Sequence, residues 1–337
     1  MPYKPLSRRC RSNRIGAVFI ASIWNVPDWM VQNPTSQSRR VIPRETYPEA
    51  IESIQAWLTT AREVYGVEVD YVSFNEPNIG VNVNLTSLDA VEFIGQSGAR
   101  FADSGLKAKW LLGDCSSMAG CLSYVEPIWK VESLRPYLGP LSFHSWDAFV
   151  EDYQIELLGE FARAQGLESW CTEAGWDAFL WQNPNQYPKW INALQTAAVY
   201  SRVLKLSRAT SFAYWEMFGD DYNLNDGVNA YPTLQVIRML DAYFPAGSQV
   251  VRTSADKFTL RSVAALTPSG FVVLLTNTSA QAQPVQIAGL PNGDYDLKRL
   301  SENEVDVLVQ TLTITDGTLE LDLAPSSVNF IVAQNSD

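Results

Sequence analysis

From residue 15 to about 244, short apolar runs alternate with longer segments whose apolar residues recur at helical spacing. That alternation predicts βα units around a parallel sheet. The predicted strands are 17–23 (AVFIASI), 69–74 (VDYVSF), 108–113 (AKWLLG), 140–145 (PLSFHS), 168–172 (ESWCT) and 210–215 (TSFAYW), six in all. Helices are predicted between them at 48–65, 87–104, 121–135, 150–165, 188–207 and 232–243. The first is the best marked. Thr46 can cap it, Pro48 suits its first turn, and Ile51, Ile54, Leu58 and Ala61 share a face.

After Pro245-Ala246-Gly247 the texture changes to short β-branched runs at 249–253, 258–266, 271–276, 285–288, 295–300, 305–315, 318–323 and 328–332. Pro268-Ser269-Gly270, Pro291-Asn292-Gly293 and Asp316-Gly317 punctuate them as turns. The pattern predicts an antiparallel β-sandwich over 246–337, following an α/β domain over 1–245. One local echo fits the repeat length of a βα unit: Ser145-Trp146-Asp147-Ala148-Phe149 and Gly175-Trp176-Asp177-Ala178-Phe179 each follow a predicted strand.

Composition narrows the chemistry. The 337 residues contain one histidine, His144, so no site needing two imidazoles is possible and HExxH is absent. No GxxxxGK[ST], GxGxxG or GxSxG occurs, and Cys10, Cys115, Cys121 and Cys171 form no CxxC. No metal and no cofactor are therefore indicated. Cys115 and Cys121 either pair or stay as buried thiols. The net charge of −12 opposes binding to phosphate backbones, so nucleic acid is not an expected partner. No apolar run approaches the roughly 20 residues of a membrane span. The charge is uneven, with eight Lys and Arg against Asp28 alone up to residue 44. That stretch reads as a solvated segment. Residues 1–13 lack the apolar core of a secretory signal, so the chain as written carries no export address.

In a parallel α/β barrel the loops after the strands build the active site. Here the strand ends carry Trp24, Asn75-Glu76-Pro77-Asn78, Asp114, His144 with Trp146 and Asp147, Glu173 with Trp176 and Asp177, and Trp215-Glu216. Glu76 and Glu173 stand out because each directly ends an apolar strand, three strands apart. A pair of carboxyls, one protonated and one ionised, is what glycoside hydrolysis requires. A separation of about 5 Å gives a covalent intermediate and retention; about 6.5–9.5 Å admits a water and gives inversion. The sequence leaves that choice open.

These residues resemble a family. Asn75-Glu76-Pro77 is similar to the acid/base motif of clan A retaining glycoside hydrolases, and Thr172-Glu173 to their nucleophile strand end. Ala21-Ser22-Ile23-Trp24-Asn25-Val26-Pro27-Asp28-Trp29-Met30 resembles the Ser-x-Trp-x-x-Pro-x-Trp-Met segment of glycoside hydrolase family 30, and the trailing sandwich fits it too. The resemblance runs from about Ile15 to the C-terminus. It implies a (β/α)8 TIM-type barrel followed by an antiparallel β-sandwich, Glu76 as acid/base, Glu173 as nucleophile, and Asn75 bonded to the sugar 2-hydroxyl. It also implies that Trp24, His144 and Trp215 line the sugar site. Trp146 and Trp176 are either further sugar-binding residues or core packing, and Glu216 is a sugar-hydroxyl ligand or a substitute for Glu173. The implied partner is a β-linked oligosaccharide, polysaccharide or glycoside. For a full-length form the family implies a secreted or periplasmic location.

The sequence departs from the family in one respect. Counted by the resemblance, 17–23 is the third barrel strand, and the residues before it cannot supply the first two βα units. The expectation is an incomplete barrel of six units: a fragment, or a chain that closes its open edge by dimerising. Three functional readings follow. The first is a retaining glycosidase; the second is a catalytically impaired carbohydrate-binding remnant; the third, a cysteine hydrolase, needs Cys171 within reach of His144. Gly219–Gly227 superficially resembles a calcium loop but is expected to be a polar substrate-facing loop, and Asn84-Leu85-Thr86 and Asn277-Thr278-Ser279 match the glycosylation sequon.

Overall fold

The computed structural model describes residues 17–147, 149–219 and 221–334. The basic segment 1–13 with Cys10, together with Ala148 and Asp220, lies outside them. The chain divides into two compact units, Met1–His144 with Phe161–Thr172, and Ser145–Glu160 with Glu173–Asp337.

The first unit is built on parallel strands β1 (Ile20–Ile23), β2 (Tyr71–Phe74), β3 (Lys109–Cys115) and β4 (Leu138–His144), paired in that order, with the start of β5 (Ser169–Ala174) beside β4. Helices α1 (Tyr47–Glu63), α2 (Ser87–Asp103) and α3 (Cys121–Trp129) connect the first four. The helices lie where the periodicity predicts them, but Thr46 makes no side-chain capping bond to α1. Thr86 caps α2 by accepting from the Asp89 amide, and Pro48 stands in the first turn of α1. Helix α3 stops at Trp129, earlier than predicted, and the chain continues as a 3₁₀ segment, Glu132–Tyr137, that contains Pro136. The core between sheet and helices is aromatic. Phe74, Phe93, Phe101 and Trp110 pack ring on ring, and Trp110 donates its indole N–H to Ser97 Oγ at 2.9 Å.

In the second unit the last residues of β5 pair with β6 (Ser211–Tyr214), and α4 (Asp152–Gln165) begins there. Helix α5 (Trp190–Arg202) runs into a π-helical turn, Val203–Ser207, before β6, and α6 (Pro232–Tyr243) follows it. Eight antiparallel strands complete this unit: β7 (Gln249–Val251), β8 (Leu260–Thr267), β9 (Gly270–Asn277), β10 (Gln283–Ala288), β11 (Gly293–Ser301), β12 (Glu304–Ile314), β13 (Thr318–Leu323) and β14 (Ser327–Ala333). Six form one sheet in the order β12-β11-β14-β9-β8-β7, and β10 pairs with β13. One face of the large sheet packs Val263, Leu274 and Phe330 against Leu194, Val236 and Met239 of α5 and α6. Its other face closes a second core through Val273, Leu297 and Ile331 with Leu321 and Leu323 of β13. These fourteen strands coincide with predicted runs within a few residues, and a further short parallel pair, Arg40–Val41 with Val83–Asn84, lies outside every predicted run.

Among the described residues β1 pairs only with β2 and β6 only with β5, so each has one edge without a partner strand there. Their burial differs from that of the inner strands: Ile20 is 43% exposed, whereas every residue of β3 after Lys109 is buried. Along β6 and β7 the second unit opens into a groove of about 1010 Å³ that Phe212, Leu240, Phe244 and Val250 line with Lys205 and Asp152. It lies away from Glu173, and Asp152 there is held by Arg202 and Arg261.

Candidate active site

The residues singled out from sequence fall into two groups, one in each unit. In the first, Asn75 and Glu76 follow β2, Asp114 lies near the end of β3, and His144 ends β4. The backbone fixes Glu76 tightly. Its amide donates to Asp114 O at 3.1 Å, its carbonyl accepts from the Gly80 amide at 3.0 Å, and Asn75 N bonds Ile23 O at 3.0 Å. Glu76 and Asp114 both have positive φ, 49° and 53°. That region is costly for a residue with a Cβ and persists where the surroundings impose it, commonly at functional sites.

The side chains then form one chain of contacts. Glu76 Oε1 lies 3.0 Å from His144 Nδ1, and His144 Nε2 lies 3.4 Å from Asp114 Oδ1. Thr172, from β5, donates its hydroxyl to the same Oδ1 at 2.6 Å, and Ser142 Oγ accepts from the Asp114 amide at 2.8 Å. All three ionisable members are buried. Burial alone would push the Asp114 carboxyl up, but hydrogen bonds from His144 and Thr172 hold it below the ordinary aspartate value. His144 is thus a hydrogen-bonding member of a carboxylate network. Asn75 is buried, and its Oδ1 has no protein partner among the described residues. Trp24 follows β1 and is 38% exposed.

Thr172 faces Asp114, so its neighbour Cys171 projects to the other side of β5. Cys171, Cys115 and Cys121 are buried and form no disulfide among the described residues. The cysteine-hydrolase reading has no geometric support.

In the second unit Glu173 and Ala174 form the end of β5. Trp146 Nε1 donates to Glu173 Oε2 at 3.2 Å, and the Glu173 carbonyl accepts from the Ser145 amide at 3.0 Å. The two echoing pentapeptides lie side by side. Ser145 Oγ donates to Gly175 O at 2.7 Å and accepts from Gly175 N at 3.0 Å, and Asp147 and Asp177 form an antiparallel bridge. Glycine is required at 175, because a Cβ there would come within 2.1 Å of the Trp146 ring. Each pentapeptide ends in a strongly exposed ring, Phe149 and Phe179.

Trp146, Trp176 and Trp215 pack on a small cluster of Leu180, Tyr187 and Tyr222. Trp146 lies 4.8 Å from the Tyr222 ring, and Trp176 donates its N–H to Asn192 Oδ1 at 2.7 Å. Trp215 N bonds Ala174 O at 3.1 Å, which places Trp215 beside the Glu173 strand end. The Trp215–Glu216 peptide bond is cis. Glu216 turns toward its own loop: a Cβ on Gly219 would lie 1.8 Å from Glu216 Oε1.

In the loop from Gly219 to Gly227 the candidate ligand oxygens bond backbone instead. Asn223 Oδ1 accepts from Gly219 N at 2.7 Å, Asn225 Oδ1 from Gly227 N at 2.9 Å, and Asp226 Oδ1 from Asn229 N at 2.6 Å. Of the sequons, Asn277 is fully buried and donates to Gln281 O and Ala324 O, so it is unavailable in the folded protein. The Asn84 side chain donates to Pro77 O at 3.1 Å.

No family model and no curated protein matches the chain. Solved structures do, glycoside hydrolases among them. A family 30 endoxylanase from Clostridium papyrosolvens superposes with a TM-score of 0.76 at 15% identity, over 98% of this chain and 82% of its own. A family 30 subfamily 8 xylanase from Clostridium acetobutylicum gives 0.76 at 16% identity, over 97% and 82%. A monomeric β-xylosidase from Caulobacter crescentus gives 0.61 at 14% identity, over 94% and 81%. The chain therefore shares its fold with glycoside hydrolases of family 30 and related enzymes. Among the described residues no helix is long and apolar enough to cross a membrane.

Proposed function

We propose that the chain is a retaining glycoside hydrolase acting on β-linked sugars. The reading rests above all on one observation: in a fold shared with family 30 enzymes, the buried Glu76 carboxyl at the end of β2 is hydrogen-bonded to the only histidine of the chain. Glu173, held by the Trp146 indole at the end of β5, supports the second half of it.

In this mechanism Glu173 attacks the anomeric carbon while Glu76 protonates the glycosidic oxygen as the bond to it breaks. Glu76 then takes a proton from water, which displaces Glu173 from the glycosyl intermediate. Asn75 bonds the 2-hydroxyl, where the resemblance implies it. Trp24, Trp146, Trp176 and Trp215 offer indole surface to pyranose C–H faces and exclude water from the reaction. Glu216, its carboxyl turned onto Gly219, serves as a ligand of sugar hydroxyls. The architecture belonging to this reading is a (β/α)8-type barrel domain, residues 1–245, of which six units are represented, followed by a β-sandwich domain, 246–337.

A second reading is a carbohydrate-binding remnant that has lost turnover. The partly exposed edges of β1 and β6, without a partner strand among the described residues, favour it, because they stand where a closed barrel has neighbours. A second copy of the chain covering these edges would reconcile the two readings. A panel of aryl β-glycosides and β-linked oligosaccharides separates them: the enzyme releases product, whereas the remnant binds to saturation without turnover.

A further inference from the structure

The proposed acid, Glu76, must carry a proton at the moment the glycosidic bond breaks, and the contacts around His144 dictate where that proton resides. Asp114 is buried and ionised, so its oxygens only accept hydrogen bonds. Oδ1 already takes the Thr172 hydroxyl at 2.6 Å and faces His144 Nε2 at 3.4 Å. That distance is long for a hydrogen bond, but an ionised carboxylate facing Nε2 favours the tautomer that carries its hydrogen there. The other ring nitrogen, Nδ1, then faces Glu76 Oε1 at 3.0 Å. Two oppositely protonated arrangements satisfy that contact: neutral Glu76 donating to a bare Nδ1, or an Nδ1–H donating to ionised Glu76. Both hold one proton between the two atoms.

We propose that Asp114 is a positioning residue that acts through His144, fixing Nε2–H so that Glu76 Oε1 and His144 Nδ1 share a single proton. This inference rests on the retaining reading above and deepens it. The proton is the one delivered to the glycosidic oxygen as the bond to the anomeric carbon breaks and the bond to Glu173 forms. Its departure leaves the Nδ1 lone pair facing the Glu76 carboxylate. That unfavourable pairing makes Glu76 a better base for the water of the second step, and the water's proton restores the starting state.

Two other titratable groups packed here are neutral. Cys115, beside Asp114, and Tyr124 of α3 are pushed up by burial and stay neutral. The Cys121 thiol faces Ser142 O, and Glu173 follows Thr172 along β5 as the proposed nucleophile.

An asparagine at 114 can present its amide N–H to Nε2. That would move the ring hydrogen to Nδ1 and hold Glu76 ionised. In a serine-protease triad the equivalent tautomer error lowers turnover roughly 10⁴-fold. Because His144 is the only histidine, ¹⁵N-histidine labelling gives one imidazole with no assignment problem. The expected spectrum of the wild type shows Nε2 protonated, and that of Asp114→Asn shows the hydrogen on Nδ1. Nε2 without hydrogen in the wild type, or an unchanged tautomer in the variant, overturns the inference.

Kinetics supply the second readout. In Asp114→Asn, kcat/KM for alkyl glycosides should fall on the order of 100-fold, the scale of general acid catalysis. The 2,4-dinitrophenyl glycosides, which leave without a proton, should be little affected, and Asp114→Glu should recover part of the loss. An equal loss for both leaving groups, or no recovery, would mean a merely structural Asp114. If Asp114→Asn does not fold, the wild-type spectrum and Asp114→Glu still decide. The two failures separate: absence of turnover with Nε2–H in place contradicts the proposed function, and a bare Nε2 contradicts this inference.

Discussion

The indole of Trp146 donates to Oε2 of Glu173 at 3.2 Å, so the side chain proposed as nucleophile is oriented by the first aromatic residue after β4. Hydrogen bonds to charged groups contribute about 1.5–3 kcal/mol. Trp146→Phe keeps an aromatic ring near Tyr222 but removes the donor. It should lower kcat/KM on the order of 10- to 100-fold, with the unfolding midpoint changed little, as steady-state kinetics beside a thermal melt will register.

Gly175 tests the same orientation from the other side. Its missing Cβ leaves room for the Trp146 ring, which a methyl group would meet at 2.1 Å. Gly175→Ala should displace the indole from Glu173 and lower activity at least as much as Trp146→Phe. Combining the two changes should give less than the product of their separate losses, because both act on one contact.

Acid sensitivity should report on Asp114. Its folded-state pKa lies below the ordinary aspartate value of 3.8, so it stabilises the fold fully above that value. The contribution is lost as the pH falls through the lower folded-state value. Stability measured in urea from neutral pH downward should therefore decline less steeply below pH 3.8 in Asp114→Asn than in the wild type. Equal slopes would mean that the carboxyl is not held ionised in the fold.

Two positions test the packing that supports the strand ends. Ser97→Ala would leave the buried Trp110 N–H without its partner at 2.9 Å, costing about 1–3 kcal/mol. Gly159→Ala would place a Cβ 2.1 Å from the Leu206 carbonyl oxygen, backbone that cannot swing aside, with a loss of about 1–3 kcal/mol or more. Denaturant midpoints of both variants should drop without a change in slope.

Much of this was legible in the sequence, and the reasons are specific. The helical spacing of Ile51, Ile54, Leu58 and Ala61 and the β-branched runs after Gly247 are local signals, and helices and strands formed where they lie. Glu76 and Glu173 were visible because each directly ends an apolar strand. The limits were set by what sequence spacing does not encode. Asp114 stood among the polar strand ends, but its reach to His144 and Thr172 depends on the irregular register of β3 against β4 near Gly113 and on a positive φ. The Ser145–Gly175 bonds depend on two loops meeting, which the thirty-residue echo hinted at without specifying. The turn of Glu216 onto Gly219 likewise has no counterpart in periodicity.

The account's central claim, a glycosyl–enzyme intermediate on Glu173, is tested most directly by trapping. The protein would be incubated with a panel of 2-deoxy-2-fluoro-β-glycosides carrying activated leaving groups, digested, and its peptides weighed. The account predicts one sugar mass added to the peptide containing Glu173, and none in Glu173→Gln. A label on Glu216 instead, or hydrolysis of ordinary β-glycosides that first releases the inverted anomer, would contradict it.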